Sequence, residues 1–559
     1  MNVQLLTGRE ALDCVESIQF QAEWTSLQER CPWATACQHP DFVAPWFLFY
    51  GALHAPLLVL GRMDDGALAG LLTLALRRHG KTITAAGAQQ AEYQAWLALP
   101  GDRNAFIRAA VRAVRTGFPG HDLYLKYLLP GTPLDWIDEE RDYRHLCIVR
   151  RHARPVMRID EAAMGKQRNK KNHRQNHNRL KRMGEVQFER VVEHERFVAL
   201  FDHMCMQYDF RQAALYHRMP FTNDSAKKPF HVELHRRGLL HTTVLRVGSE
   251  IAASHFGLAS HGRAVHIGIM THGPAYAPHS PGNLLLAMLG VQLVQENMPM
   301  LDLTPGGDGY KEHFATDHDE VAELTIYGDT ARRVKEETLL ELKRLSKAGL
   351  HKAGYRTADV LAALDWARTL KASGLQGLRG KLRPGPAARP CALRHQWPAQ
   401  VGQGAASAAA MPVSKNRLDD VFRFDGRASS ISSWEFMETV MKRMERSHHL
   451  YSLVRNDKLV LCCWMRIDSE APAAAATGQD AAMTESAVVL SDLYVHRQLA
   501  DDALVQDFIR QVVHQIAGAA PGSRVYFRDV LDAGMRRLVE TCGFVDAAPV
   551  GASGRRECA

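Results

Sequence analysis

Residues 302–314, Asp-Leu-Thr-Pro-Gly-Gly-Asp-Gly-Tyr-Lys-Glu-His-Phe, are the stretch of this chain richest in groups that do chemistry. An acid at a strand-like end, a glycine turn, a second acid, a phenol and an amine can assemble a reaction centre where a sheet opens. Asp302, Tyr310 and Lys311 are the candidates. Asp302 and Asp308 are also the residue type that forms turns and caps around Gly306, Gly307 and Gly309, with Tyr310 then belonging to the core. Upstream, Ser280-Pro281-Gly282-Asn283 precedes an apolar run. A serine or asparagine cap beside glycine leaves N–H groups pointing outward, as a pyrophosphate or carboxylate ligand requires. Plain N-capping uses the same residues.

Residues 166–182 (KQRNKKNHRQNHNRLKR) hold eight Lys or Arg and no acid, which accounts for the whole net charge of +8. Such a run neutralises phosphates. It has no interleaved aromatics to stack bases, and a solvated helix face would carry the same residues. His255, His261, His266, His272 and His279 fall at spacings that match no helical ligand pair, and no Cys or Glu completes a site, so no metal is expected. Ser254, His255 and Cys205 lack the Gly-x-Ser-x-Gly elbow of a hydrolase. His255, on a hairpin strand, is a candidate to face a cleft.

The elements that must position these groups recur. Residues 57–76, 242–260 and 451–465 each read as strand, turn, strand. After the second hairpin come a strand at 263–270, a helix from 284 to about 297 and a strand at 300–303. After the third come a strand at 487–495, a helix from about 501 to 517 and a strand at 524–527. The order strand, strand, strand, helix, strand therefore appears twice, and three similar units are implied.

At 559 residues, with 46% hydrophobic and 23% charged residues, the chain is ordinary globular protein of three or four units of roughly 150 residues each. No apolar run is long enough for a membrane span, and the N-terminal residues lack a basic stretch followed by an apolar core, so a cytoplasmic location and no membrane insertion are expected. Ten cysteines without a Cys-x-x-Cys pair read as reduced and mostly buried. Residues 331–372 read as a charged helical extension. Residues 373–413, rich in Gly, Pro, Ala and Ser, read as a linker, and 470–482 as a loop between strands.

From about 150 to 327 the order of elements meets specific residues: the basic run entering a helix, Gly248-Ser249-Glu250-Ile251-Ala252-Ala253, Ser280-Pro281-Gly282, then Asp302-Leu303, Gly307-Asp308 and Tyr310-Lys311. This stretch resembles the acetyltransferase-like family of CelD-type cellulose-biosynthesis proteins and FemAB-type aminoacyl transferases, built on the GNAT fold. The N-terminal part, with Gln38-His39-Pro40-Asp41-Phe42, resembles the degenerate first half of the same tandem. The last module resembles a GNAT domain in Asp492-Leu493-Tyr494-Val495 and Cys542-Gly543-Phe544. It departs from the family where glycines hold a pyrophosphate, because Asp501 and Asp502 stand there. Two carboxylates suit a helix cap and repel a phosphate.

The resemblance implies an α/β fold of tandem GNAT-like domains with twisted mixed sheets flanked by helices: 1–157, a catalytic 158–330, the helical 331–372, the linker 373–413 and a degenerate 414–559. It implies transfer of an acyl group from acetyl-CoA or another acyl-CoA to the amine of a small molecule or sugar, with a connection to envelope polysaccharide machinery. Such transfer needs a neutral amine, a stabilised oxyanion and a protonated leaving thiolate. Asp302 is then the base, Tyr310 the acid, and Lys311 stabilises negative charge or holds a phosphate. Ser280, Gly282 and Asn283 bind the pyrophosphate, and Arg174 of the basic run meets coenzyme A phosphates. A tRNA-borne aminoacyl donor and a non-catalytic regulatory role are the alternatives.

Overall fold

The computed structural model describes residues 1–260, 262–352, 389–395, 412–429, 431–468, 487–496, 498–519 and 523–546. They form two compact units. One holds Met1–Tyr208, Pro220–His272 and the chain from His279 through the Thr330–Lys352 helix; the other holds Asp209–Met219, Gly273–Pro278 and the C-terminal part.

In the first unit, strands β1 (Asn2–Thr7), β2 (His54–Arg62), β3 (Leu68–Arg77), β4 (Thr82–Ala85), β5 (Leu97–Ala98) and β6 (Asp122–Leu128) make the first half. Strands β7 (Cys147–Arg158), β8 (Val186–Val191), β9 (Leu240–Val247), β10 (Glu250–Ser260), β11 (Ala264–His266), β12 (Ile269–His272), β13 (Met300–Asp302) and β14 (Asp317–Ile326) make the second. Among the described residues they join into one 14-stranded sheet, ordered β1-β2-β3-β4-β6-β14-β7-β13-β11-β10-β9-β8, with β5 on β3 and β12 on β10. The halves are stitched by β14, which pairs antiparallel with both β6 and β7. A cut at 157/158 falls at the end of a strand that, among the described residues, pairs with β13 and β14, so β7 belongs with the second half.

Alternation along the strands sends side chains to two cores. Leu301, Leu303, Val265 and Ile267 pack with Leu286, Leu289 and Leu293 of the Pro281–Gln295 helix on one face. Phe256 and Val244 join Phe197, Phe201 and Phe230 in a core that runs on into the first half through Phe42, Trp46 and Trp96.

In the second unit, strands β15 (Arg389–His395), β16 (Ser414–Lys415), β17 (His449–Arg455), β18 (Lys458–Asp468), β19 (Ala487–Val495), β20 (Arg524–Leu531) and β21 (Phe544–Asp546) form a 7-stranded sheet in the order β16-β17-β18-β19-β20-β15-β21. Residues 389–395, expected in a linker, are thus a strand between β20 and β21. The apolar run around Leu393, which is fully buried, is too short to show a period among its Pro- and Gly-rich flanks. The rest of the expected linker up to residue 411, the extension beyond 352 and the loop at 470–482 lie outside the described residues.

Candidate functional site

The second half opens at one pair of residues. Strands β11 and β13 run parallel, with Val265 opposite Leu301 and His266 opposite Asp302, and the N–H of Ile267 donates to the Asp302 carbonyl at 2.8 Å. Beyond this the strands part: β12 pairs with β10, while Leu303 N–H turns to the Pro155 carbonyl of β7. Two glycines permit the divergence. A Cβ on Gly257 would lie 1.8 Å from the His266 carbonyl oxygen, and one on Gly268, whose φ is +48°, would lie 2.5 Å from that of Phe256. The backbone that leaves β11 is thereby held against β10.

Asp302 sits at the strand end as expected, and it is fully buried. Its Oδ2 accepts from Tyr93 Oη at 2.7 Å and from Arg154 Nη1 at 3.0 Å, and lies 3.3 Å from His266 Nδ1; its Oδ1 accepts the Thr304 N–H at 2.8 Å. Arg154 turns its remaining guanidinium edge to Asp319. Burial opposes the charge on Asp302, but His266, Arg154 and Tyr93 outweigh it and keep the carboxyl below its usual range. Burial and the adjacent Asp302 charge push the Tyr93 phenol well up. A carboxylate so enclosed does not itself meet solvent or an incoming amine. It acts through the residues it touches.

Two of those residues, His266 and Thr304, line a cavity of roughly 230 Å³. His266 is buried, its ring lies 5.1 Å from that of Tyr93, and neither ring nitrogen makes an aligned hydrogen bond, so Nε2 has no partner. An unpaired buried imidazole nitrogen at a cavity wall, backed by a carboxylate, is fitted to take up a proton. Thr304 is held with φ +58°, a conformation costing a β-branched residue of order 1–3 kcal/mol. Lys311 fixes it there, its Nζ donating to the Thr304 carbonyl and Oγ1, each at 3.2 Å, and to the Pro305 carbonyl at 3.4 Å. The Lys311 ammonium is therefore turned into the protein, where it supports this turn.

Tyr310, on the short Gly309–Phe314 helix, packs half-buried with the cluster on the Pro281–Gln295 side. Asp302 with His266 and Tyr310 thus occupy opposite faces of the parted strands. Ser280 lies at the start of the Pro281–Gln295 helix in a left-handed conformation, with no side-chain cap, and Gly282 leaves room around its Cα. Burial and the neighbouring Arg179 charge hold His279 below its ordinary range, which places the basic Lys171–Lys181 helix beside this terminus. Arg174 stands exposed on that same helix. His255 is fully buried on the face opposite Phe256 and does not line the cavity. Among the described residues no three His, Cys, Asp or Glu side chains converge as a metal site, and no helix is long and apolar enough to cross a membrane.

Residues 166–312, which contain this parting of strands, match the family described as an acetyltransferase (GNAT) domain. The fold is the mixed α/β tandem of GNAT-like halves. Solved structures of similar fold include FemX (9% identity, 58% of this chain and 97% of that chain, TM-score 0.39), L-PGS from Bacillus licheniformis (11%, 57% and 96%, 0.38) and a tandem GNAT protein from the clavulanic acid biosynthesis pathway (13%, 59% and 99%, 0.35). No curated protein matches the chain.

The sequence places Asp302 at its strand end, as the structure does, and gives no sign of His266, Tyr93 and Arg154 as its partners. Their contacts to Asp302 span 36, 209 and 148 residues. The one local signal was polarity: His266 interrupts Val265 and Ile267 in a strand otherwise free to be apolar.

Proposed function

We propose that the chain is an N-acyltransferase that moves an acyl group from an acyl-CoA thioester to an amine at the parting of β11 and β13. The observation that carries this reading is the unpartnered His266 Nε2 at the cavity wall, backed by Asp302, at the point where the strands separate. His266 takes the proton of the attacking ammonium, and Asp302 behind the ring balances the charge it acquires. The freed nitrogen bonds to the thioester carbonyl carbon, the C–S bond breaks, the thiolate takes a proton from Tyr310 on the other face, and the second proton the nitrogen sheds on becoming an amide goes to solvent, from which the Tyr310 phenolate is reprotonated. Lys311 serves by holding Thr304. Gly282, Asn283 and Ser280 at the helix start, with Arg174 on the adjacent basic helix, would hold the donor's phosphates.

The test is steady-state release of free thiol from acetyl-CoA and longer acyl-CoAs with a panel of amines. His266→Gln and Tyr310→Phe should each lower turnover ~100-fold or more while the fold is retained. Turnover near that of the native chain in both variants overturns the assignment.

A tRNA-borne aminoacyl donor is favoured by one observation: all eight cations of residues 166–182 are exposed. Salt-sensitive tRNA binding without acyl-CoA turnover would select that donor. An acceptor on envelope polysaccharide is what the CelD-type resemblance adds, and a sugar amine in the same panel tests it.

A further inference from the structure

The cavity beside His266 has walls from both halves of the first unit. Phe42, Gln90 and Glu92 come from the first half; Phe230, Phe256 and Leu240 come from the second. Phe42, Phe230 and Phe256 are almost wholly buried, with the Phe42 and Phe230 rings edge to face at 5.5 Å. The cavity's lining joins these aromatic side chains to the polar groups of Gln89, Gln90, Glu92, His266 and Thr304.

Charge and hydrogen-bonding capacity narrow what fits. Among the described lining residues Glu92 is the one carboxylate. Its contact with Lys126 is long, 3.4 Å, between partly exposed side chains, a pairing worth little that an incoming cation can displace. Lys227 also lines the cavity, but its ammonium lies over the Phe221 ring, 5.0 Å from the centroid. His231 gives its Nδ1 to the Lys227 carbonyl at 2.7 Å, and burial lowers its pKa to about 4, so it is neutral. Glu92 is therefore the group of this lining that can hold a positive ligand. Of the side chains that could serve a polyhydroxylated ligand, the Gln90 amide already donates to Tyr50 Oη at 2.9 Å and lies 3.4 Å from Asp224 Oδ2, and Thr304 Oγ1 accepts from Lys311 Nζ at 3.2 Å. Each sugar hydroxyl buried against phenylalanine without a partner would cost about 1–3 kcal/mol.

We propose that this cavity takes a primary amine carried on a hydrocarbon or aromatic body, with Glu92 as its ammonium-binding residue and the first half as the part of the chain that selects it. The proposal rests on the acyl-transfer reading of the same site. Glu92 holds the acceptor as an ammonium, the apolar body lies against Phe230 and Phe256, and the nitrogen is delivered to His266 Nε2. From there one proton passes to His266, the N–C bond forms, the C–S bond of the thioester breaks with the thiolate protonated by Tyr310, and the nitrogen's second proton goes to solvent.

Two measurements on the full chain test it: calorimetric binding of 2-phenylethylamine, hexylamine, glucosamine and glycine, and turnover of the same amines with acetyl-CoA. The aromatic and alkyl amines should bind and react at least about tenfold better than glucosamine or glycine. Glu92→Gln should raise the KM for 2-phenylethylamine about tenfold, with kcat and the KM for acetyl-CoA within about twofold, and Glu92→Asp should recover part of the loss. Amine binding that depends on Glu92 without turnover would sink the acyl-transfer reading and leave this one standing. Turnover that prefers glucosamine, or is indifferent to Glu92→Gln, would overturn this one and leave acyl transfer intact. Neither binding nor turnover overturns both.

Discussion

The first half of the tandem contains the same parting of strands as the second, and it is shut. There β4 pairs in parallel with β6 over Thr82–Thr84 and then leaves it, and the chain returns as β5 against β3, as β11 and β13 separate in the second half. Gln94 closes the gap. Its N–H donates to the Lys126 carbonyl at 2.9 Å, its Oε1 accepts the Lys126 N–H at 3.1 Å, and its Nε2 donates to the Ala88 carbonyl at 2.7 Å. The closing segment is put to use next door, since it carries Tyr93 to Asp302 and Glu92 to the cavity wall. In the second half the corresponding gap has His266 on its wall with a nitrogen unsatisfied. The difference teaches that a duplicated fold can give up one opening and spend the freed chain on supporting the other.

The halves should also differ in what acid does to them, and this is the largest effect expected. His231, His235 and His255, all in the second half, are held neutral, with burial lowering their pKa values to about 4, 4 and 3. The unfolded chain binds these protons from pH 6.5 downward, whereas the folded chain does so only near pH 4 and 3. Their stabilising contribution is therefore full above pH 6.5 and is lost progressively as the pH falls from 6.5 toward the folded values. At pH 4.5 the loss is about 2.5 kcal/mol for each histidine, enough to consume much of an ordinary domain's stability. Urea midpoints should fall steeply between pH 6.5 and 4.5. A flat profile would show these rings are not kept neutral.

Next in size are substitutions at the two junctions. Asp302→Asn removes the charge that pairs Arg154 in the interior and should cost about 3–5 kcal/mol. Gln94→Ala strips partners from two part-buried backbone groups, the Lys126 N–H and the Ala88 carbonyl, without altering any charge and should cost about 1–3 kcal/mol. Chemical denaturation of both variants checks the order. If Gln94→Ala proved the costlier, the closed opening rather than the ion-paired one would be the structural keystone.

What the sequence revealed follows the same division. The hairpins at 57–76, 242–260 and 451–465 are β2–β3, β9–β10 and β17–β18, because paired apolar runs around a short polar turn report themselves locally. Asp302 was legible because a strand end followed by glycines is a local signal. The break of the expected 263–270 strand into β11 and β12 was not, because it depends on Gly268 lying against Gly257 of another strand. Lys311 was misread for a related reason: a lysine in a glycine-rich turn looks available, and only the fold shows its ammonium committed to Thr304. The histidines were weighed as metal ligands by their spacing, which carries no information about a carboxylate brought beside His266 by parallel pairing.

The third opening, in the C-terminal unit, gives the smallest effect and the sharpest discrimination. Strands β19 and β20 pair in parallel from Ala487 to Leu490 and then separate, and Asp492 takes φ +51° at that point. Here the gap is bridged by a side chain: the Leu493 N–H donates to Asp529 Oδ2 at 2.8 Å. At the following helix, the Asp501 Oδ1 accepts the Leu504 N–H at 2.8 Å, so a carboxylate caps the terminus where a phosphate would sit. An amide already held by the protein's own carboxylate has no hydrogen to offer a thioester oxygen. Asp529→Ala should therefore cost about 1–2 kcal/mol in the C-terminal unit through the orphaned Leu493 N–H, and leave acyl-transfer turnover within about twofold of the native chain. A large fall in turnover, with the second half still folded, would mean that the bridged opening takes part in the chemistry. The contrast between closed, open and bridged openings would then have to be drawn the other way.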